Sequence, residues 1–481
     1  MVIIANNINV IDMNNIVKRI KEDFTKTPDL KIKEIKKNLI SSIYVIFIET
    51  VCDGNKVNDY ILKNLTRYKN NKGLNSNTPG PNTVFIKDYQ DIETYLTSGF
   101  ALVIDGNKIL AIEVRAEINR SIPSSTREPS LLGPEDAFNE NYQVNMGLIK
   151  RRIKTSTYKS EEIVIGTRTK TMVSINYLDD VAKKEDIEKI KEKINNVHID
   201  GIVDIGTLIN YIEEENKSVF PTIKRTERPD VAVTAILEGK IVILMDTSPF
   251  AIILPTFLAD FINPISDNYT KSINVLFLKI LRMVCFFLSM AVPGIFIAIT
   301  NYNQETIPPD LLINFSIQQS GVPFPGIVEL LILLLICDLL RESDLRFPSN
   351  FGSTISILGA LIIGEAAVNA GIVSPIMIII ASLTLISSLI FTDLEINNAI
   401  RYYRYLFLFF ASFLGLYGIF LCTTLFLINV ISLKSLNSSY FAPLAPFNKE
   451  YLFKTLFKGT DKHNLKRSSL ITNNLKKGTI E

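Results

Sequence analysis

The pattern of apolar and polar positions divides the chain into two halves of different chemistry. Before Asp246 apolar residues fall in short runs or at helical spacing between charged stretches; from Ser248 to Ile431 they fall in long, nearly uncharged runs. In the first half, residues 40–50 (ISSIYVIFIET) are β-branched and stop at Asp53-Gly54, which predicts a buried strand. Val57, Ile61, Leu62 and Leu65 predict a helix over 57–68, and a Gly/Pro-rich loop follows at 70–82. Residues 88–96 read as a helix. Residues 100–114 (FALVIDGNKILAIEV) are two apolar runs around Asp105-Gly106-Asn107, which predicts a hairpin. A similar run at 231–246, turning at Glu238-Gly239, predicts a second hairpin, so two related α/β subdomains are expected. Between the hairpins Gly133-Pro134 sets a turn, Glu135 and Asp136 suit the first turn of a helix, and Phe138, Tyr142, Met146 and Ile149 share its face. Residues 162–177 alternate like strands around Gly166, and 183–195 and 204–215 are amphipathic helices.

The second half reads as membrane sequence. Residues 248–262 are apolar but broken by Pro249 and Pro255, which suits an interfacial or re-entrant piece. Residues 275–300 form the first clear span, with a kink point at Pro293-Gly294. A polar loop without Lys or Arg occupies 301–325. Residues 327–340 are apolar but short for a span, and spans over 354–371, 375–391 and 405–431 follow. The basic tail predicts a cytoplasmic C-terminus, and the loop at 301–325 predicts the outer side, which places the soluble half in the cytoplasm. Five spans would leave the tail outside. Laying 327–340 along the interface restores parity with four; a spanning 248–262 is the alternative. The expected organisation is a flexible lead-in over 1–37, an α/β N-terminal soluble region of two subdomains (38–160 and 161–247), an all-α multi-span membrane domain of four to six segments (248–433), and a basic tail (434–481).

Composition narrows the chemistry. A net charge of +2 over 481 residues gives no global field for nucleic acid, so no nucleic-acid partner is expected. Cys52, Cys285, Cys337 and Cys422 are scattered, and His198 and His463 are isolated, so neither a disulfide framework nor a metal site is predicted. There is no Walker A, GxGxxG, HExxH or GxSxG signature, and no cofactor or enzymatic activity is expected. The first fifteen residues lack a basic n-region and a long apolar core, so no secretory signal is expected. Lys150, Arg151 and Arg152 crowd a helix end. They suit either a solvated end that complements the helix dipole or an anchor for a partner or a lipid phosphate.

The segment at 354–371 carries the most pointed chemistry. Thr354, Leu358, Ile362, Glu365 and Asn369 are spaced by three or four and share one helical face, with Gly359, Ala360, Gly364, Ala366 and Ala367 around them. In a ring of subunits that face would give a cation pore with an apolar gate at Leu358 and Ile362 and a carboxylate beside it. A tightly packed bundle helix with a protonated or paired Glu365 fits the spacing as well.

Several stretches together resemble the A subunits of spore nutrient-germinant receptors, the GerA family. They are GPEDAFNENYQVNMGLIKRRIK from Gly133, TERPDVAVTAILEGKIVILMDTSPF from Thr226, GVPFPGIVELLI from Gly321, AGIVSP from Ala370, AIRYYRYLFLFFASFLGLYGIF from Ala399 and YFAPLAPF from Tyr440. The likeness runs in order from about residue 40 to 457. It departs where the family has a basic residue and a Gly and this chain has Glu135-Asp136-Ala137, and where the family's Gln and acid stand exchanged as Glu365 and Asn369. The resemblance implies a multi-pass protein of the spore inner membrane with its N-terminal domain on the core side. Its implied partners are a transporter-like B subunit and a lipoprotein C subunit. It further implies a homo-oligomer that releases monovalent cations when nutrient binds; a non-conducting scaffold that relays binding to other germination proteins is the alternative.

Overall fold

The computed structural model describes residues 13–36, 42–67, 82–106, 108–116, 128, 133–214, 218–270, 272–346, 364–449, 452, 467 and 469–474. From Met13 on, the described chain already belongs to the first subdomain. Helix α1 (Met13–Asp23) buries Ile16, Val17 and Ile20, with Phe24 just beyond it. Strand β1 (Leu30–Lys36) pairs antiparallel with β2 (Ser42–Ile48). The expected flexible lead-in is therefore, from Met13 on, a core helix and an edge strand. The local charge pattern hid them because only one narrow face of each is apolar. A helical segment at 54–67 follows, labelled α2, then β3 (Thr83–Ile86), α3 (Tyr89–Thr97), β4 (Phe100–Asp105) and β5 (Lys108–Glu113). β4 and β5 form the expected hairpin, and the sheet order is β1-β2-β4-β5-β3.

The second subdomain repeats that topology. It contains α4 (Tyr142–Lys150), β6 (Tyr158–Ile165), β7 (Thr171–Leu178), α5 (Lys184–Asn195), α6 (Ile205–Ile212), β8 (Lys224–Thr226), α7 (Pro229–Glu238), β9 (Ile241–Met245) and β10 (Ala251–Leu254). Its order is β6-β7-β9-β10-β8, the same permutation as in the first sheet. Helix α4 begins at Tyr142, not at Glu135-Asp136, because the Asn141 side chain accepts from the Gln143 and Val144 amides as N-cap. It packs with α7 on one face of this second sheet, so it belongs to the second subdomain, not the first. Helices α5 and α6 cover the other face.

Two sequence expectations fail here. Residues 231–246 are not a hairpin: Pro229 starts α7 and Gly239 ends it at φ +99°. The β-branched run VAVTAIL is drawn into a helix because Ala232, Val233 and Ile236 then meet Met146 and Ile149 across the α4–α7 packing. The hairpin equivalent to β4–β5 is β9–β10. Residues 248–262, expected at the membrane, instead supply β10, every residue of it buried in the sheet, and the short α8 (Leu258–Ile262).

The remaining described residues are mainly helical: α9 (Ser272–Tyr302), α10 (Pro309–Ser320), α11 (Gly326–Arg346), a short helix at 364–369, α12 (Pro375–Leu389) and α13 (Leu394–Ser432), followed by a small antiparallel pair, Lys434–Ser435 with Ser438–Ser439. α10 lies within the expected loop at 301–325. Among the described residues, two helical stretches are long and apolar enough to cross a membrane, Asn274–Tyr302 and Leu394–Ser432; Pro375–Leu389 is shorter.

Helix α13 is not one rod. Gly415 stands at φ 60°, ψ −139°, outside helical geometry. In a straight helix Tyr403 and Phe426 would lie roughly 34 Å apart, yet their rings meet at 5.1 Å. The element is a helical hairpin of arms 394–414 and 416–432, closed so tightly that a Cβ on Gly418 would fall 2.1 Å from the Phe410 carbonyl oxygen. Its tip rests on α9, where Tyr302 Oη donates to the Ser412 carbonyl at 2.6 Å. The stretch 405–431, expected as one span, is thus two antiparallel pieces.

Candidate functional site

Two members of the basic cluster that ends α4, Lys150 and Arg152, are paired within the protein. Lys150 is 5% exposed and its ammonium binds Asp29, which also accepts from Thr50. Asp29 lies between α1 and β1, so this ion pair joins the two subdomains. Burial by itself would raise the Asp29 carboxyl, but Lys150 and Thr50 outweigh it and hold the carboxyl below its ordinary value. Arg152 Nη2 donates to both carboxylate oxygens of Asp136, at 2.8 and 2.6 Å. Lys150 and Arg152 are therefore structural, and Arg151 takes the exposed side of the same turn. A cavity of about 20 Å³ adjoins the buried pair, lined by Thr27, Ile48, Lys150 and Tyr158 among others. It has room for about one water and borders the Thr27 hydroxyl, which has no hydrogen-bond partner among the described residues.

A second set of residues ties the soluble half to the helices. Phe220, 1% exposed, packs its ring 5.4 Å from Tyr403 on one arm of the α13 hairpin and 5.8 Å from Phe426 on the other. Arg225 pairs with Glu395 at 2.7 Å near the start of the first arm. Ser435, just past the second arm, donates to the Thr222 carbonyl at 2.7 Å and accepts from the Thr256 amide at 3.0 Å. Both open ends of the hairpin are thereby fixed to the second subdomain. Phe261, Ile262, Ile400 and Tyr440 complete one shared core.

Polar groups also lie within the bundle. Glu329 is fully buried; its Oε2 accepts from the Ser374 amide at 2.8 Å and hydroxyl at 2.9 Å. Ser374 is the N-cap of α12, so Glu329 clamps the turn that joins the short helix at 364–369 to α12. Asp338 accepts from Tyr405 Oη at 2.7 Å and faces Arg401 and the 2% exposed Arg404 at 3.5 and 3.7 Å. Arg404 Nε donates to the Ser289 carbonyl of α9 at 3.0 Å. These partners join residues 45 to 115 positions apart, and no spacing rule pairs them.

Of the predicted pore face, Thr354, Leu358 and Ile362 lie outside the described residues. Glu365 and Asn369 sit on the short helix 364–369, and both are exposed. Beside that helix, Ala367 and Val368 pack on Leu330, Met377 and Ile297. The exposed and packed positions thus take opposite sides.

Residues 18–470 match the family described as Bacillus/Clostridium GerA spore germination protein. Spore germination protein KA of Bacillus subtilis (strain 168) is 31% identical over 449 residues, 91% of this chain and 82% of that protein. Spore germination protein GerQA of Bacillus cereus is 32% identical over 426 residues, 88% of this chain and 85% of that one. A solved structure, the N-terminal domain of the A subunit of the Bacillus megaterium spore germinant receptor GerK3, is 27% identical with a TM-score of 0.39, over 51% of this chain and 94% of that domain.

Proposed function

Because the chain belongs to the GerA family of spore germination proteins, we propose that it is the A subunit of a spore nutrient-germinant receptor whose helical bundle conducts monovalent cations. In this reading copies of the chain assemble around an axis in the spore inner membrane, together with a transporter-like B subunit and a lipoprotein C subunit. The face bearing Thr354, Leu358, Ile362, Glu365 and Asn369 lines the path.

The observation that carries the reading is the position of Glu365. It is exposed, and among the described residues it makes no hydrogen bond or ion pair, while the opposite side of its helix is packed. A carboxylate on a bare face of an apolar bundle is costly in lipid and inexpensive beside a water-filled axis. The α13 hairpin supports a matching topology. Six passes (α9, α11, 354–371, α12 and the two arms) are an even number, and they keep the soluble half and the basic tail on one side. Parity then needs no interfacial helix. Of that tail, Lys454, Lys458, Lys462, Lys466, Lys476 and Lys477 lie outside the described residues.

The test is ion flux from reconstituted protein or from spores. Ile362→Ala should widen the constriction and leak monovalent cations without nutrient; a tight Ile362→Ala receptor counts against this pore face. Glu365→Gln should lower cation flux with assembly intact. A Glu365→Gln receptor that changes assembly or stability but not flux favours the non-conducting scaffold.

A further inference from the structure

The C-terminal segment returns to the soluble half and occupies a groove there. The groove lies between the turn at Asp180–Lys183, the α7–β9 corner at Gly239, and the segment that follows the α13 hairpin. Ile471 and Thr472 are 2% and 0% exposed. Ile471 packs with Phe257 and Ala442, with Leu470 beside it. Thr472 donates to the Val181 carbonyl, and its Cβ would lie 3.1 Å from any Cβ placed on Gly239. The remaining contacts read main chain with side chains. Lys183 Nζ donates to the Leu470 carbonyl at 2.7 Å, and Asn474 Nδ2 to the Asp180 carbonyl at 3.1 Å. Arg467 Nε donates to the Leu237 carbonyl at 2.9 Å.

This is how a folded surface holds a short peptide: a single apolar anchor is buried, and hydrogen bonds to main-chain carbonyls fix the direction of the chain. Its described residues form no helix or strand, and the groove contacts are what position them. One wall is the segment that follows the hairpin: Ser438 donates to the same Leu470 carbonyl at 3.4 Å, and Ala442 shares a small core with Ile471. The other wall belongs to the second sheet. An occupied groove therefore fastens the second subdomain to the chain leaving the last membrane helix.

We propose that this groove is a peptide-binding site whose resident ligand is the chain's own C-terminal segment, and that the segment is a releasable latch across the soluble–membrane junction. The inference is independent of whether the bundle conducts.

The experiment uses the full chain in detergent, a form ending at residue 466, and a labelled synthetic peptide RSSLITNN. The shortened chain should bind the peptide saturably, and a peptide with Ile471→Asp should bind about tenfold more weakly or worse, from loss of one buried aliphatic anchor. A folded shortened chain that shows no saturable binding, or binds both peptides equally, overturns the proposal. Should the shortened chain not fold, hydrogen exchange on full-length Ile471→Asp decides. Faster exchange at 469–474 and around Val181, with the β6–β7 core unchanged, supports the latch. Exchange at 469–474 as slow as in the parent overturns it.

Discussion

Lys150→Met should be among the most damaging single substitutions in the soluble half. The side chains of Lys150 and Asp29 are each 6% exposed, and Asp29 spends one oxygen on Lys150 and the other on Thr50. Without the ammonium, Asp29 keeps a buried charge with a hydroxyl as its side-chain partner. Breaking a buried pair from one side typically costs about 3–5 kcal/mol, whereas replacing both partners by neutral groups of similar volume is nearly neutral. The double variant Lys150→Met/Asp29→Asn should therefore recover all but about 1 kcal/mol. Urea unfolding of the full chain in detergent, arranged as a double-mutant cycle, should give a coupling of about 2 kcal/mol or more. A single-variant loss under about 1 kcal/mol, or additive singles, would refute the argument. The pH dependence gives a second readout. The folded Asp29 carboxyl is held below its unfolded value by Lys150 and Thr50 against burial. Its stabilisation is complete above the unfolded value near about 3.9 and is lost as pH falls through the lower folded value. In Lys150→Met burial, the largest influence, is opposed only by the Thr50 hydroxyl and a main-chain hydrogen bond; the folded value should move above the unfolded one and the sign reverse, so that this site becomes more stable as pH falls through the folded value toward about 3.9.

Other expectations follow from the joint and the bundle. Phe220→Ala should cost about 3–5 kcal/mol in the same unfolding assay, since it empties a fully buried ring site between both hairpin arms. Arg225→Ala should cost less than about 1 kcal/mol, because its pair with Glu395 is over a third exposed and screened; a larger loss would show that the ion pair and not the ring holds the joint. Spin labels at Tyr402 and Leu427, both exposed, should report a separation within about 20 Å, against roughly 38 Å for one straight helix. Gly418→Val should lengthen that distance, because the added atoms meet the Phe410 carbonyl; an unchanged distance would refute the close approach. Glu329→Ala should cost about 1–2 kcal/mol by stripping the start of α12 of its acceptor, and Glu329→Gln, which keeps an acceptor oxygen, should cost less.

Much of the soluble fold can be read locally. The helix over α5 and the hairpin β4–β5 are set by period and turn chemistry within about a dozen residues, and such signals survive without knowledge of the rest of the chain. What the sequence left open were choices made by distant partners. VAVTAIL has β-branched content, yet it becomes α7 because α4 and the second sheet await it there. The α1 face looked like part of a charged lead-in until the first sheet buried it. A run of apolar residues at 405–431 announces a membrane segment but not its reversal; that takes one glycine in a conformation that side chains disfavour and a second glycine where the arms touch. The same holds for the polar sites. Glu365 and Asn369 could be placed on one face from spacing. The partnerships of Lys150 with Asp29, Glu329 with Ser374 and Arg404 with Asp338 could not, because charge and hydrogen-bond complementarity act through space, and only the folded chain brings those groups within reach.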